Sequence, residues 1–86
     1  MKYSVVYSKT ALKEIKSLPQ PYARRIYEKT AMLAENPRPA GCKKLVGNKE
    51  EMWRIRAGDY RILYTIEDHV KIVDIRKVGH RKDIYE

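Results

Sequence analysis

The sequence predicts an α+β fold, a two-layer sandwich in which a helical hairpin covers one face of an antiparallel sheet. Three observations predict it. A short run of β-branched and aromatic residues opens the chain, two stretches with helical apolar spacing follow, and three segments with period-two alternation fill the second half. The element order is therefore β-α-α-β-β-β. Since 86 residues can build only one small core, residues 1–86 are expected to form a single domain.

The first two elements are a strand and a helix. Residues 3–7, Tyr-Ser-Val-Val-Tyr, have the composition of a β-strand, which we expect in or near the middle of the sheet. Ser8 can cap the following helix, because a serine side chain accepts a hydrogen bond from a backbone N–H of the first turn. Apolar residues recur at helical spacing from Lys9 to Leu18, and Pro19 ends this helix.

A second helix and a loop complete the first half of the chain. Pro21 can open the helix, and one apolar face continues until Asn36 and Pro37 end it. The two helices therefore form a hairpin. Residues 37–44 contain two prolines and one glycine and predict a surface loop that carries three basic side chains.

The second half of the chain predicts a three-stranded antiparallel meander. Its strands are residues 52–56, 60–66 and 70–77, joined by two-residue turns at Gly58-Asp59 and Asp68-His69. The first turn sets Trp53 opposite Tyr64, Arg54 opposite Leu63, Ile55 opposite Ile62, and Arg56 opposite Arg61. The second turn sets Ile62 opposite Ile75, Tyr64 opposite Val73, Arg61 opposite Arg76, and Leu63 opposite Asp74.

These registers give the sheet two unlike faces. A slip of one residue in either hairpin would bury arginines and expose apolar side chains, so the segregation supports both registers. The face toward the helices is wholly apolar and consists of Trp53, Ile55, Ile62, Tyr64, Val73 and Ile75. The opposite face carries four arginines, Arg54, Arg56, Arg61 and Arg76.

The composition narrows the class of partner. Nineteen Lys and Arg residues against eleven Asp and Glu residues give a net charge of +8, which attracts polyanions. Nucleic acid is the first candidate, although charge alone does not distinguish it from a membrane surface or an acidic protein.

No apolar stretch approaches the roughly 18 residues of a membrane-spanning helix, and the N-terminal apolar run is too short for a secretory signal, so a cytoplasmic location is expected. The single cysteine, Cys42, excludes an internal disulfide and a sulfur-ligated zinc, and we assign it no role.

The arginine-bearing face is the first candidate site. Like charges opposite one another on neighbouring strands are destabilising, so this face is either the solvated side of a half-buried sheet or a phosphate site. Residues 78–85 follow the last strand and add His80, Arg81, Lys82 and Tyr85 beside the cluster. Tyr85 can stack on an unpaired base, as in single-stranded RNA recognition, or it can pin the chain end as a hydrophobic plug.

Two segments resemble the RelE branch of the RelE/ParE toxin superfamily. They are residues 53–64, Trp-Arg-Ile-Arg-Ala-Gly-Asp-Tyr-Arg-Ile-Leu-Tyr, and residues 78–85, Val-Gly-His-Arg-Lys-Asp-Ile-Tyr. The opening strand and the helix containing Ala11-Leu12-Lys13-Glu14 fit as well, so the resemblance spans nearly the whole chain. It implies a RelE-like fold and a toxin of a type II toxin–antitoxin system. Such a toxin is an endoribonuclease that enters the ribosomal A site and cleaves mRNA there without a metal or other cofactor, and a cognate antitoxin protein silences it.

The resemblance also implies roles for individual residues in the attack of a ribose 2′-hydroxyl on the adjacent phosphate. Arg61 matches the arginine that stabilises the charged transition state, and Arg81 matches a second arginine near the leaving group. Tyr85 matches the tyrosine that orients or stacks the substrate base. Arg54 and Arg56 stand where some relatives have lysines, one of which is a proposed general base.

The general base stays open, because arginine is effectively always protonated and is a poor proton acceptor. His80, Tyr85 or a group of the ribosome could accept the proton, or the enzyme relies on charge stabilisation alone.

Two other functions also stay open. The ParE branch shares the fold but poisons DNA gyrase without cutting RNA, and a non-catalytic member would only bind RNA. Further basic or imidazole side chains either contact RNA or simply keep the surface soluble. They are Lys9, Lys13, Lys16, Lys43, Lys44, Arg76, His80 and Lys82.

Overall fold

The computed structural model describes residues 2–47 and 49–84. The first elements are β1 (Ser4–Tyr7), α1 (Lys9–Lys16) and α2 (Gln20–Ala31), and α2 continues into a 3-10 turn at Met32–Ala34. The strands that follow are β2 (Lys43–Lys44), β3 (Trp53–Ala57), β4 (Tyr60–Glu67) and β5 (Ile72–His80). The predicted α+β architecture is confirmed, and β2 adds a short strand within the segment predicted as a loop.

The sheet is mixed, with the strand order β1-β5-β4-β3-β2. β1 pairs with β5 in parallel, and the other three pairings are antiparallel. The expectation that the first strand lies in or near the middle of the sheet is wrong. β1 is an edge strand whose side chains alternate between exposed and half-buried, because only one of its edges and one of its faces meets the rest of the fold.

The first hairpin of the meander has the predicted register. Ala57 lies opposite Tyr60, and all four predicted pairs between β3 and β4 are present. Gly58 has a φ of +62°, a backbone region that favours glycine and that a tight turn between antiparallel strands requires at its first central position.

The second hairpin differs from the prediction. Its loop has four residues, 68–71, with Glu67 opposite Ile72 and a φ of +56° at Lys71. Tyr64 therefore lies opposite Ile75 and not opposite Val73. This is a slip of two residues, which leaves every side chain on its predicted face, so face segregation could not exclude it.

A β-bulge changes the register again at Leu63 and Tyr64. Tyr64 lies opposite Ile75 but Leu63 lies opposite Lys77, so Arg76 is an extra residue on β5. The three predicted pairings of β5 with Ile62, Arg61 and Leu63 are consequently wrong. Ile62 lies opposite Val78, Arg61 opposite Gly79, and Asp74 opposite Thr65. The bulge also turns Val78 into the core, where it is 2% exposed.

The core lies between the helices and the sheet face predicted to be apolar. Its buried members are Ala11, Ile15, Ile26, Leu33, Ile55, Ala57, Ile62, Tyr64, Val73, Ile75 and Val78. Ser8 caps α1 as predicted, with its Oγ accepting a hydrogen bond of 3.1 Å from the Ala11 N–H. The buried Tyr64 hydroxyl donates to the Pro37 carbonyl at 2.7 Å, which fastens the loop after α2 to the core.

The helices of the described segments are short and amphipathic. Among them none has the length and hydropathy needed to cross a bilayer. The same residues contain no group of three or more His, Cys, Asp or Glu side chains arranged to hold a metal ion.

Candidate functional site

The sheet face turned away from the helices carries Arg54 and Arg56 of β3 and Arg61 of β4, and we call it the arginine face. Arg56 lies directly opposite Arg61 across the β3–β4 hairpin. Lys43 lies opposite Arg54 and shares this face, because residues paired across neighbouring strands point to the same side. The sequence-predicted clustering of these three arginines on one face is therefore present.

Part of the arginine face is covered by a second, smaller apolar cluster. Leu45, Leu63 and Ile84 are its buried members, and Met52 packs against them. Arg54 lies opposite Leu63 and is only 5% exposed, whereas Arg56 is exposed. The arginine face is therefore not solvated over its whole extent, because Ile84, from the segment after β5, packs over it.

Arg61 is held at the tip of the β3–β4 hairpin. Its Nη1 donates to the backbone carbonyls of Gly58 and Tyr60, both at 3.3 Å. Both carbonyls belong to the turn or its first strand residue, so the turn backbone fixes the position of the guanidinium group.

Arg81 comes to the same hairpin tip from the other side. Its backbone N–H donates to the Asp59 carbonyl at 2.8 Å, and a turn closed by the Asp83 N–H and the His80 carbonyl, also at 2.8 Å, follows it. Arg61 of β4 and Arg81, which follows β5, are therefore attached to the same two-residue turn, Arg61 by its guanidinium group and Arg81 by its backbone N–H. Tyr85, the remaining predicted site residue of this segment, lies outside the described residues.

Arg76 does not join this group. The longer loop and the bulge together remove it from its predicted place opposite Arg61. Its Nη1 lies 2.9 Å from a Glu50 carboxylate oxygen and 3.8 Å from one of Asp74. Two carboxylates therefore compensate its charge.

The predicted RNA-contacting lysines are dispersed over the surface. Lys9, Lys13 and Lys16 are exposed on α1, in the helical layer on the other side of the sheet from the arginine face. Lys44 forms an ion pair of 3.1 Å with Glu51. Lys82 is exposed in the turn after β5.

Arg38 shows what a structural arginine looks like in this fold. It pairs with Asp68 at 3.0 Å and lies over the Trp53 ring, 5.1 Å from its centroid. The hydrogen bond from Arg38, followed by one from the Tyr3 hydroxyl, lowers the pKa of Asp68 to about 2. The same hydrogen bond raises the pKa of Arg38. Arg38 is thus committed to joining the loop before β2 to the loop between β4 and β5.

Sequence reasoning missed a cleft beside the hairpin tip, on the helical side of the sheet. Tyr22 and Arg25 of α2, Tyr60 of β4 and His80 of β5 line it. The sequence offered one signal: Tyr60 alternates with Ile62 and so had to face the helices. Nothing in the sequence indicated which helical residues would meet it.

The chemistry available at the hairpin tip is the binding of anionic groups. The Arg61 guanidinium group is anchored to the turn, the backbone of Arg81 is anchored to the same turn, and Arg56 lies opposite Arg61. Guanidinium groups fixed in advance can bind phosphate oxygens and stabilise additional negative charge on them.

Comparisons with known proteins agree with one another. The family model of the ParE toxin of type II toxin–antitoxin systems, parDE, matches residues 5–85. A putative toxin RelE1 of Methanocaldococcus jannaschii is 33% identical, over 100% of this chain and 98% of its own length.

Solved structures have the same fold over almost the whole chain. The archaeal RelE–RelB complex from Pyrococcus horikoshii contains a chain with a TM-score of 0.82 and 32% identity, over 98% of this chain and 100% of its own. The toxin–antitoxin complex RelBE2 of Mycobacterium tuberculosis gives a TM-score of 0.84 and 29% identity, over 94% of this chain and 100% of its own.

Proposed function

Because the chain belongs to the RelE/ParE toxin superfamily, and within it to the RelE branch of type II toxins, we propose that it is a ribosome-dependent endoribonuclease that cleaves mRNA in the A site and so inhibits translation. The observation that carries this proposal is the attachment of Arg61 and Arg81 to one hairpin turn, with Arg56 opposite Arg61. This arrangement supports a site for a scissile phosphate at the tip of the β3–β4 hairpin.

The proposed reaction is the attack of a ribose 2′-hydroxyl on the adjacent phosphate. The O2′–P bond forms while the P–O5′ bond breaks, the hydroxyl proton goes to a base, and the 5′-oxygen leaves after its charge is neutralised or it is protonated. Arg61 would bind the non-bridging oxygens, where negative charge increases in the phosphorane. Arg81 would neutralise the departing oxygen. Fixed donors stabilise such charge without having to reorganise during the reaction.

Arg54 has a different part in this proposal from Arg56. Since Arg54 is 5% exposed, it acts as a positioning residue whose fixed charge supports the site from beneath. Arg56 is exposed and can contact the RNA backbone. Tyr85 stays the predicted stacking residue for the substrate base. His80, Tyr85 or a group of the ribosome would accept the proton, or the reaction relies on charge stabilisation alone.

We also propose that a cognate antitoxin binds and silences the toxin in the cytoplasm. The structural relatives named above are toxin–antitoxin complexes, which supports this partner. An antitoxin that lays a helix or strand over the helices or the arginine face would supply carboxylates to cations that otherwise repel one another. The exposed lysines Lys9, Lys13, Lys16 and Lys43 would contact ribosomal RNA in the active complex.

The test mixes the purified chain with ribosomes carrying a defined mRNA and maps the ends of the cleaved message. Cuts confined to the A-site codon are expected, and Arg61→Ala should lower the cleavage rate about 10²- to 10³-fold, as for the loss of one fixed oxyanion donor. Arg24→Ala is the matched control, because Arg24 is exposed on α2 and pairs with Glu28. It removes the same charge away from the hairpin tip and should leave the rate unchanged.

The same experiment separates the alternatives. The matching family model bears the ParE name, and a gyrase poison would leave the mRNA intact but produce gyrase-dependent DNA breaks. Binding to ribosomes without any cuts would indicate a non-catalytic RNA-binding member of the family.

A further inference from the structure

The cleft on the helical side of the hairpin tip has the size of a small-ligand site. We call it the aromatic cleft; it has a volume of about 400 Å³ and is lined by Tyr22, Arg25, Ala57, Gly58, Asp59, Tyr60 and His80. Ligand pockets in proteins commonly measure about 300–1,000 Å³. The cleft and the arginine face lie on opposite sides of the sheet but meet at the same turn.

Three aromatic rings form the walls of the aromatic cleft. The centroids of Tyr22 and Tyr60 are 5.6 Å apart with an interplanar angle of 48°, and those of Tyr60 and His80 are 5.6 Å apart at 81°. Tyr22 is 44% exposed, although it stands on the apolar side of its helix. Large aromatic surfaces that stay accessible in this way can stack on an unpaired base.

A cation, Arg25, lies at the rim of the aromatic cleft, and no carboxylate of the described residues is within ion-pair distance of it. Among residues 2–47 and 49–84, Arg25 forms no ion pair and donates no hydrogen bond, and its Nη1 lies over Gly58. A Cβ atom added to Gly58 would come within 3.4 Å of that nitrogen. The guanidinium group of Arg25 therefore lies close to the backbone of the hairpin tip at Gly58.

Polar groups of the aromatic cleft match the edge of a base. The Lys82 N–H donates to His80 Nδ1 at 3.2 Å, so the neutral ring carries its proton on Nε2 and offers a donor there. Asp59 supplies a carboxylate acceptor, which suits bases that present amino groups, such as cytosine and guanine.

We propose that the aromatic cleft binds an unpaired nucleobase of RNA, stacked against Tyr22 and Tyr60, while Arg25 contacts the flanking phosphate. This inference rests on the proposed function, since an RNA strand bound by Arg56 and Arg61 needs to pass only around the hairpin tip to reach the cleft. The base comes either from the mRNA or from the ribosomal RNA around the A site.

The first test needs no cleavage activity. The complete ¹⁵N-labelled chain is titrated with guanosine 5′-monophosphate and, separately, with inorganic phosphate, and amide shifts are followed by NMR. Saturable shifts at Tyr22, Gly58, Tyr60 and His80 are expected with the nucleotide but not with phosphate. Equal shifts with both ligands, or nucleotide shifts confined to the arginine face, would overturn the proposal and leave the proposed nuclease function standing.

The second test measures the affinity for a fluorescently labelled single-stranded RNA by anisotropy at constant salt. Tyr22→Ala should weaken binding about 5- to 150-fold, the usual range for the loss of one stacking aromatic, whereas Tyr22→Phe should bind like the wild type. Arg25→Gln should weaken binding, and Arg24→Gln, which removes the same charge from the neighbouring position, should not. If Tyr22→Ala has the same RNA affinity as Tyr22→Phe, and Arg25→Gln the same as Arg24→Gln, the cleft does not bind RNA. Circular dichroism checks that each variant is folded.

A third test identifies the source of the base. A photo-crosslinking phenylalanine analogue replaces Tyr22, the toxin is bound to programmed ribosomes, and the crosslinked nucleotide is mapped. A crosslink to the mRNA or to ribosomal RNA supports the site and identifies its ligand. No crosslink to RNA from position 22, under conditions where the same analogue at Arg56 gives one, contradicts it. Loss of the crosslink at both positions would instead count against the proposed ribosome-dependent function.

Discussion

Replacing Gly79 by alanine tests how the residues after β5 are held against the arginine face. A Cβ atom on Gly79 would lie 2.9 Å from Cγ1 and 3.0 Å from Cδ1 of Ile84. Ile84 is 8% exposed and packs with Leu45 and Leu63 in the smaller apolar cluster. Gly79→Ala must therefore displace the Ile84 side chain, and we expect the turn that carries Arg81 to shift with it.

The expected loss of stability follows from three terms. Overpacking costs about 1–3 kcal/mol, and the chain can escape it by giving up the burial of Ile84, which is worth about 1.5–3 kcal/mol. Alanine is otherwise favoured over glycine within a strand by about 0.5–1 kcal/mol. The net destabilisation should therefore be about 0.5–2 kcal/mol. Cleavage activity should fall by more than the stability loss explains, because Arg81 moves.

Urea unfolding followed by the fluorescence of Trp53, the only tryptophan of the chain, measures this free energy. A double-mutant cycle with Ile84→Ala provides the control. In the Ile84→Ala background the added methyl group meets nothing, so Gly79→Ala should be neutral or stabilising there. An equal loss of stability in both backgrounds, or a gain in the wild-type background, would refute the reasoning.

Two further predictions concern contacts that fasten the loops. Asp68 has its pKa lowered to about 2 from 3.8, so the stabilisation by its pairing with Arg38 is complete above pH 3.8 and is lost as the pH falls through about 2. Acid titration of the unfolding free energy should show this loss in the wild type, and a profile of the same shape for Asp68→Asn would contradict it. Tyr64→Phe removes the hydrogen bond to Pro37 and should destabilise the fold by about 1–2 kcal/mol in urea unfolding. Faster proteolysis in residues 37–42 should accompany it, and an unchanged midpoint would show that the hydroxyl bond is dispensable.

The first hairpin was predictable and the second was not, for a physical reason. Gly58-Asp59 demands a tight turn, which fixes the pairing of β3 with β4 at once. Residues 67–72 include no glycine that would require a turn of a particular length. A register shift of one residue between β4 and β5 would have moved each side chain of the shifted strand to the other face of the sheet, whereas a shift of two residues leaves every side chain on its face. The alternation of apolar and polar residues therefore could not distinguish a two-residue loop from a four-residue loop.

The sequence indicates the β-bulge through a break in the period-two alternation of β5, which the predicted register did not take into account. Val73 and Ile75 alternate regularly, but the next apolar residue is Val78, which is out of phase by one position. A strand that stays buried through such a phase change must contain an extra residue. Recognising it would have moved Arg76 away from Arg61 by one position, and the two further positions that set Gly79 opposite Arg61 come from the four-residue loop.

The apolar patch on the arginine face could also have been anticipated from Leu63. Ile62 and Tyr64 face the core, so Leu63 between them must point to the arginine face. A leucine on that face is buried only if another segment of the chain covers it. Ile84 supplies that cover. Which residue would do so depends on the path of the chain after β5, and a single sequence contains no periodic signal for a path of that kind.

The pairing of charges explains why one end of the sheet is the favourable place for an anion. Arg38 is committed to Asp68, and Arg76 to Glu50 and Asp74. Other arginines, on both sides of the β3–β4 hairpin, form no ion pair with another described residue; they are Arg25, Arg56 and Arg81. Folding therefore leaves several arginines without a carboxylate partner together at the hairpin tip, whereas the lysines are dispersed over the surface. Because uncompensated charges gathered in one place steer a polyanion more strongly than the same charges spread evenly, the tip is where an RNA strand should first meet the protein.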